Sequence, residues 1–303
     1  MDMKIEEMRR LLIVGAGTMG QQIGLQCAMH GYRVVLYDIE ARALEAAQRH
    51  IENFADQLVG AGRLTSEGAK EALARITTTG DPQEAAADTD LISESVVEDP
   101  KIKGQVFAQF NRLCPPRTIF TTNASTLLPS MFAQETGRPA QFAAMHFHPP
   151  VWDANIVDIM PHAGTDPSVV TLLGEFARSI GQVPIFEKKE SSSYVFNSML
   201  NALMGAAMTL VVNDVASIED VDRAWMGVTK MPIGPFGIMD MIGIDVLWHA
   251  ATFWATQSPS DPQRQRFASF LKGYVDKGCL GVKTGQGFYT YPSPAYQRPG
   301  YLS

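Results

Sequence analysis

The sequence predicts an α/β protein in which a doubly wound, largely parallel sheet is followed by an all-helical domain. Two observations carry this prediction. Up to about residue 187, short apolar runs alternate with longer amphipathic segments, a pattern typical of strands that alternate with helices. Beyond that point the chain is rich in methionine and small residues and shows only helical patterns. We therefore expect an N-terminal domain at residues 1–187 and a helical domain at residues 188–303, joined by the polar stretch EKKESSS.

The elements of the first domain follow one another regularly along the chain. The predicted strands lie in RLLIV, YRVVLYD, TDLISESV, RTIFTTNAS, AQFAAMHF, ANIVDIMP and QVPIFE. The predicted helices begin near Thr18 and lie in IEARALEAAQRHIENFADQLV, LTSEGAKEAL, PKIKGQVFAQFNRLC and PSVVTLLGEFARSIG. A capping signal opens the segment LTSEGAKEAL. Helices of this length between strands favour a parallel sheet that is covered by helices on both faces.

The composition narrows the class of protein. The 303 residues are 46% hydrophobic, which is enough for buried cores in two domains. The net charge of -7 offers no basic face, so we expect neither nucleic acid nor an anionic membrane as a partner. A phosphorylated small molecule needs only local donors and is not excluded. Cys27, Cys114 and Cys279 lie far apart and form no metal-ligand spacing, which favours a reduced, cytoplasmic protein.

Two apolar stretches resemble membrane-directed segments. The run LLIV follows two arginines but breaks at once into glycines, so it is too short for a signal peptide. Residues 194–212 carry no charge but include Asn197 and Asn201, and we expect them to lie in a core or a subunit interface. Because a monomer would expose a large apolar surface there, the helical domain is predicted to form a homodimer.

A glycine-rich turn, GAGTMG, directly follows the first predicted strand and opens a helix. Gly15 permits the tight turn, Gly17 lets a pyrophosphate approach the backbone, and Gly20 lets helix and strand pack closely. Thr18 and Met19 lie at the helix start, where free N–H groups can bind phosphate. The order of strand, turn and helix predicts a Rossmann-type dinucleotide site.

Asp38 ends the second predicted strand. A carboxylate at this position accepts hydrogen bonds from the ribose hydroxyls of NAD and would repel the 2′-phosphate of NADP. No basic residue follows it directly, and Arg42 lies one helical turn further on. NAD is therefore the predicted cofactor. The alternative, a glycine turn with an incidental acid, is disfavoured because strand, helix and acid all occur in the required order.

The segment MHFHPPVWDANIVDIM contains His146 and His148. Alternate residues of a strand share a face, so the pair could bind a metal with Asp153, Asp158 or His162, or could be packed without a role. A dehydrogenase that acts on an alcohol needs a base near neutral pH, and a histidine oriented by a carboxylate is suited to this task. The segment follows the strands after the glycine turn, and ligands of such sheets lie at the carboxyl ends of strands. This position favours chemistry, and we predict no metal.

Over nearly its whole length the chain resembles the 3-hydroxyacyl-CoA dehydrogenase family. The matching pieces are GAGTMG, Asp38, GRLTSEGAKEALARITTTGD, ESVVEDPKIK, TIFTTNASTL, MHFHPP with IVDIM, YVFNSML, MPIGPFGIMDMIG and KGCLGVKTGQGFYTY. The set is specific, although no single piece is. The resemblance implies an NAD-dependent enzyme of fatty acid metabolism that interconverts the 3-hydroxy and 3-keto groups of an acyl-CoA.

The resemblance also implies roles for residues of the reaction site. The family's catalytic histidine falls on His146 and its glutamate partner on Asp158. Ser125 and Asn197 match the residues that hydrogen-bond the substrate's oxygen. By themselves, Ser125 could cap a turn and Asn197 could be a buried amide or an interface contact.

Three further residues are expected beside the cofactor. Glu98 and Lys103 match family residues near the nicotinamide, and we group Asn123 with the cofactor-binding residues. Without the resemblance, Glu98 and Lys103 would be no more than the solvated start of a helix.

Departures from the family pattern bear on the substrate. Asp158 is one methylene shorter than glutamate, a loss of about 1.5 Å of reach, so we expect a shifted strand or a bridging water. His148 and Pro149 replace Phe-Asn, and the basic cluster that holds the CoA phosphates is reduced to Arg63. SSSY replaces Pro-Gly-Phe, and Ser198 replaces an arginine.

These changes leave other functions open. The histidine segment resembles a diketoreductase branch that acts on small keto acids and esters, and L-gulonate 3-dehydrogenase uses a similar scaffold. A protein of another class, which binds NAD(H) as a structural component or a sensor without catalysis, is the remaining alternative.

Overall fold

The computed structural model describes residues 3–302. The chain divides into two compact units, the first ending at Val195 and the second beginning at Phe196. The boundary predicted at residue 187 lies before this point, so the polar stretch EKKESSS belongs to the first unit.

The first unit contains an 8-stranded sheet in the order β3-β2-β1-β4-β5-β6-β7-β8. The strands are β1 Arg10–Val14, β2 Arg33–Tyr37, β3 Ile76–Thr79, β4 Leu91–Glu94, β5 Ile119–Thr122, β6 Phe142–Phe147, β7 Ile156–Pro161 and β8 Val183–Phe186. The strand order reverses direction between β1 and β4, which is the switch point at which doubly wound sheets bind ligands. The predicted fold class is confirmed.

One pairing departs from the predicted parallel pattern. Strands β6 and β7 are antiparallel, while every other neighbouring pair is parallel. The connection 148–155 contains no helix. A parallel return needs a crossover of a dozen residues or more, so this short connection reverses the chain instead.

The helices of the first unit cover both faces of the sheet with two apolar clusters. They are α1 Thr18–Met29, α2 Ala41–Gly60, α3 Ser66–Ala74, α4 Pro82–Ala86, α5 Pro100–Leu113 and α6 Pro167–Ser179. An Asp-Pro pair begins each of α4, α5 and α6: the aspartate side chain accepts N–H bonds of the first turn, and proline follows where no N–H is needed. The short elements β3 and α4 were not among the predicted ones.

The second unit is helical. Its helices are α7 Val195–Val212, which begins at the boundary, α8 Ile218–Thr229, α9 Pro235–Ile242, α10 Ile244–Gln257 and α11 Pro262–Val275. Among its described residues the only β pairing consists of isolated bridges between residues 281 and 290. This arrangement confirms the predicted helical domain.

Two buried aspartates fasten the second unit's glycine-rich segments. Asp222 accepts bonds from the N–H groups of Phe236 and Gly237 at 2.8 and 3.0 Å, which fixes the start of α9. Asp240 accepts bonds from the N–H groups of Phe288 and Tyr289 at 2.8 and 2.9 Å. The bonds of Asp240 tie the motif MPIGPFGIMDMIG to the motif KGCLGVKTGQGFYTY, which lies far away in sequence.

Helix α7 is apolar but mostly uncovered. Of the described residues, α7 forms the single helix that is long and apolar enough to cross a bilayer, and α9 with α10 would qualify only as one span bent by 95°. Only 17% of the apolar stretch in α7 is buried within the chain. One side of α7 packs in the core of the second unit through Met204, Ala207 and Met208, and the expectation that a second subunit covers the rest stays a prediction.

Candidate active site

The glycine turn lies at the carboxyl end of β1. Gly15 has a φ of +109°, and a Cβ on it would lie 2.6 Å from the carbonyl oxygen of Ser95. A Cβ on Gly20 would lie 1.9 Å from the carbonyl oxygen of Gly15, so both positions require glycine. A Cβ on Gly17 would meet nothing within 4 Å. The turn is thus closed by packing on two sides and open at Gly17, the side from which a pyrophosphate would approach.

The start of α1 and the end of β2 complete this region. Thr18 is exposed at the first position of α1, and Met19 beside it is half-buried. The carboxylate of Asp38 accepts a bond from the Ala16 N–H at 2.8 Å and one from the Glu40 N–H at 3.0 Å. These bonds fix Asp38 beside the glycine turn, where a ribose would follow the phosphates.

His146 and Asp158 are direct cross-strand partners in the β6–β7 pair. Their side chains therefore lie on one face, and His146 Nδ1 is 3.3 Å from Asp158 Oδ2. The same oxygen lies 2.8 Å from Nε2 of His148, which directly follows the last residue of β6. The shorter aspartate thus reaches His146 directly, because the strand register places the two residues opposite each other.

Burial and hydrogen bonding determine the protonation states of His146 and Asp158. Burial lowers the pKa of His146 below its ordinary value, and the hydrogen bond to Asp158 offsets this only in part. Burial alone would raise the pKa of Asp158, but the bonds to His146 and His148 outweigh it and the pKa lies below its usual range. An ionised Asp158 can only accept, so His146 Nδ1 carries a proton and Nε2 is the basic nitrogen. No described protein group hydrogen-bonds this Nε2.

These three side chains also have the composition of a metal site. Donor atoms of His146, His148 and Asp158 lie within 4.8 Å of one another, a spacing that could hold a cation. Hydrogen bonds to Asp158 already explain why the three side chains lie together. That the site binds no metal stays a prediction.

Ser125 lies on an exposed loop after β5, at the same sheet edge as His146. One carboxylate oxygen of Glu98 accepts the N–H groups of Ser125, Thr126 and Leu127 at 2.9, 2.8 and 3.3 Å. Burial would raise the pKa of Glu98, but these bonds and the Lys103 ammonium outweigh it and lower the pKa. Glu98 therefore holds the Ser125 loop in place.

The predicted cofactor residues Asn123 and Lys103 have internal partners. The Asn123 side-chain oxygen accepts the Phe147 N–H at 2.8 Å and so joins the end of β5 to the end of β6. Lys103, 1% exposed, bonds to Glu94 at 2.7 Å and lies 3.5 Å from Glu98. Glu94, which sequence reasoning missed, is a buried anchor beneath the loop. A contact of Lys103 with the nicotinamide stays a prediction.

Tyr194 is a second residue that sequence reasoning missed. Its ring stacks on His146 with centroids 4.4 Å apart and planes inclined by 5°. Its hydroxyl donates to the carbonyl oxygen of Ala124, next to Ser125, at 2.7 Å. The only signal in the sequence was the replacement of the family's Pro-Gly-Phe by SSSY, which ends in Tyr194. Asn197 is half-buried in the first turn of α7, and its contact with substrate stays a prediction.

The fold and the glycine turn are those of a Rossmann-type dinucleotide-binding protein. Residues 10–191 match the model of the 3-hydroxyacyl-CoA dehydrogenase NAD binding domain, and residues 194–291 match that of the 3-hydroxyacyl-CoA dehydrogenase C-terminal domain. The chain belongs to the 3-hydroxyacyl-CoA dehydrogenase family. Membership in this family confirms two predictions: NAD as the cofactor, and oxidoreductase activity on CH–OH groups.

Known proteins of two kinds are similar to this chain. A probable 3-hydroxybutyryl-CoA dehydrogenase of Deinococcus radiodurans is 31% identical over 279 residues, which covers 92% of this chain and 99% of the relative. The mitochondrial hydroxyacyl-coenzyme A dehydrogenase of Homo sapiens is 29% identical, covering 93% and 91%. A solved diketoreductase, described with dicarbonyl compounds, is 39% identical with a TM-score of 0.87, covering 94% of this chain and 99% of the other.

Proposed function

We propose that this protein interconverts 3-hydroxy and 3-keto groups with NAD, using His146 as general base and acid and Asp158 as its partner. The observation that supports this most directly is the cross-strand contact between His146 Nδ1 and Asp158 Oδ2 at 3.3 Å. It leaves Nε2 of a buried, neutral imidazole as the basic atom at the carboxyl edge of the sheet. An acyl-CoA is the first candidate substrate, because relatives along the whole chain are named for it.

The side chains divide the work as follows. Bound NAD supplies a hydride acceptor in one direction and a hydride donor in the other. His146 Nε2 takes the proton of the 3-hydroxyl group during oxidation and returns it during reduction. Asp158 holds Nδ1–H and stabilises the imidazolium that forms. Ser125 and Asn197 hydrogen-bond the substrate's oxygen, and the turn from Gly15 to Gly20 binds the pyrophosphate.

His146→Gln tests the assignment of the base. We expect kcat to fall by roughly 10³- to 10⁴-fold, since the general base is lost, while NADH binding stays unchanged. His162→Gln is the matched control: His162 is also buried but bonds to the Pro139 carbonyl oxygen and the Gly164 N–H, away from the cluster. A His146→Gln variant with a kcat near that of the wild type would refute the role of His146.

A second substrate class is favoured by a specific contact. Arg63, the basic residue left from the family's phosphate-binding cluster, forms an ion pair with Asp153. A guanidinium that is already paired is a weaker handle for CoA phosphate. The similarity to a diketoreductase points the same way. Small free keto acids, diketo acids or their esters are therefore the second candidate, with an L-gulonate 3-dehydrogenase-like sugar-acid reaction as a related form.

One comparison separates these candidates. NADH oxidation is followed with acetoacetyl-CoA, with a free 3-keto acid and with a 3,5-diketo ester, for the wild type and for Asp153→Asn. Turnover of the thioester, improved in KM when Asp153→Asn releases Arg63, supports the acyl-CoA. Turnover of only the acid or ester supports the second class. Bound NADH without turnover of these substrates or of a 3-keto sugar acid supports a non-catalytic NAD(H)-binding protein.

We also infer a cytoplasmic homodimer formed through the helical domain. The support is the poorly buried apolar α7 and three free cysteines, Cys27, Cys114 and Cys279. Sedimentation equilibrium measures the state directly. A monomer at micromolar concentration would contradict the dimer.

A further inference from the structure

The polar stretch before α7 is held in the first unit by two glutamates. The Glu190 carboxylate accepts the N–H of Ser130 at 2.6 Å, and the Glu187 carboxylate accepts the N–H of Val195 at 3.0 Å. Between these anchors the chain buries Tyr194, which is 1% exposed. A stretch whose composition suggested a joint thus delivers an aromatic side chain to the interior.

The backbone at this point is unusual. Ser193 and Tyr194 have φ values of 75° and 54°, in the left-handed region that residues other than glycine seldom adopt. Such conformations persist where surrounding contacts over-determine them, and they cluster at functional sites. The contacts of Tyr194 are therefore the place to look for what maintains this geometry.

The ring of Tyr194 packs against His146, the candidate base. The His146 ring lies flat against its face, with centroids 4.4 Å apart, while His148 presents its edge to His146 at 4.7 Å and 81°. The single bond from His146 to Asp158 is long, at 3.3 Å, so by itself it holds the plane of the imidazole only loosely. The ring of Tyr194 removes this freedom.

The hydroxyl of Tyr194 holds the neighbouring loop. It donates to the Ala124 carbonyl oxygen at 2.7 Å, directly before Ser125, while Glu98 holds the same loop through the N–H groups that follow. Burial raises the pKa of Tyr194 above its ordinary value, so the hydroxyl stays neutral and acts as a donor. With its hydrogen engaged by protein, the hydroxyl is not a proton relay to substrate.

We propose that Tyr194 is a positioning residue. Its ring fixes the plane of the His146 imidazole, and its hydroxyl fixes the position of the loop that carries Ser125. The proposal rests on the proposed function of His146 and Ser125. One side chain then fixes the base His146 relative to the Ser125 hydroxyl that binds the substrate's oxygen. Two substitutions test its two contacts one at a time.

The first substitution, Tyr194→Phe, keeps the stack and removes the hydroxyl bond. We expect kcat to fall roughly tenfold or more because the Ser125 loop shifts, with the pH profile and the KM for NADH unchanged. Tyr32→Phe is the matched control: it loses a partly buried hydroxyl bond of 2.6 Å to Ser179 in the same unit, away from the site. Equal losses of kcat in both variants, or none in Tyr194→Phe, would overturn the role of the hydroxyl.

The second substitution, Tyr194→Leu, keeps the site covered and removes the aromatic face. Because that face stabilises the imidazolium, its loss should lower the pKa of His146 by roughly half a unit. We would measure this titration by NMR on ¹⁵N-histidine-labelled protein, with His146→Gln identifying the resonance. An unchanged titration in Tyr194→Leu would overturn the role of the ring.

The NMR titration also distinguishes failure of the positioning role of Tyr194 from failure of the proposed function. If the wild type turns over none of the substrates but the His146 titration still shifts, the stack is real and the proposed function fails. If the wild type is active and the titration and kcat are both insensitive to Tyr194, the positioning role fails and the proposed function stands.

Discussion

Two buried carboxylates, one in each unit, are held in opposite ways. Asp240 uses both oxygens: two main-chain N–H groups and the Tyr291 hydroxyl donate to them. Asp158 offers one oxygen to His146 and His148, while its other oxygen, Oδ1, is buried with no hydrogen-bond partner in the described structure. The first carboxylate is bonded through both oxygens by main-chain N–H groups and a tyrosine hydroxyl, and the second is bonded through one oxygen by two imidazoles.

The pKa values follow from these partners. Burial raises the pKa of Asp240, and its backbone bonds offset this only in part. For Asp158 the bonds from histidine outweigh the effect of burial and lower the pKa. A carboxylate held by main-chain donors stabilises the fold, whereas one held by imidazoles keeps a charge available for proton transfer. The predictions below are designed to break this contrast.

The largest effect is expected for Asp158→Asn. The amide cannot stabilise an imidazolium and favours the wrong tautomer of His146, so kcat should fall by roughly 10²- to 10³-fold, less than for loss of His146 itself. The melting temperature near neutral pH should fall as well, because the lowered pKa of Asp158 contributes to stability there. Steady-state kinetics and thermal unfolding of the same preparation measure both, and a stability loss without a loss of kcat would reverse the assignment.

The counterpart is Asp240→Asn in the second unit. Asparagine turns an NH₂ group toward a main-chain donor that previously met an oxygen, so one buried donor loses its acceptor. We expect a loss of about 1–3 kcal/mol in the free energy of unfolding, with kcat near that of the wild type. Urea unfolding monitored by circular dichroism gives the first value. A kcat loss comparable to that of Asp158→Asn would contradict a purely structural role.

The pH dependence of stability should differ in sign. Because the folded pKa of Asp240 is raised, its contribution is fully present below its unfolded pKa, about 4, and is lost as the pH rises through the folded value. The lowered pKa of Asp158 gives a contribution present above about 4 and lost as the pH falls further. Urea unfolding of wild type and both asparagine variants at several pH values measures the two slopes. Equal slopes would break the contrast.

The smallest effect is expected for His148→Phe. The charge of His148 contributes to the low pKa of His146, and His148 competes for the same oxygen of Asp158. Its removal should raise the pKa of His146 and move the acid limb of the oxidation profile upward by less than about one unit. His162→Phe serves as the control, because His162 directly follows β7 and bonds to groups outside the cluster. A downward shift would show that His148 mainly holds Asp158 in place.

The sequence was informative where local chemistry decides the structure. GAGTMG followed by Asp38 predicted the turn because strand, glycines and acid are close in sequence. The pairing of His146 with Asp158 came only from the family resemblance, since residues alone left the metal and packing alternatives open. Tyr194 escaped because its partners lie far away in sequence, and Glu94 escaped because the resemblance assigned roles only to Glu98 and Lys103 within ESVVEDPKIK. The antiparallel pairing of β7 followed from a connection too short for a crossover.

The facing of His146 and Asp158 across an antiparallel pair has an evolutionary consequence. Side chains alternate between faces, so slipping β7 by one residue would turn Asp158 away from His146. Within the connection 148–155, insertions and deletions are acceptable only when they leave this register intact. The tip of the hairpin can therefore diversify in sequence, while the strands on either side are inherited as a unit.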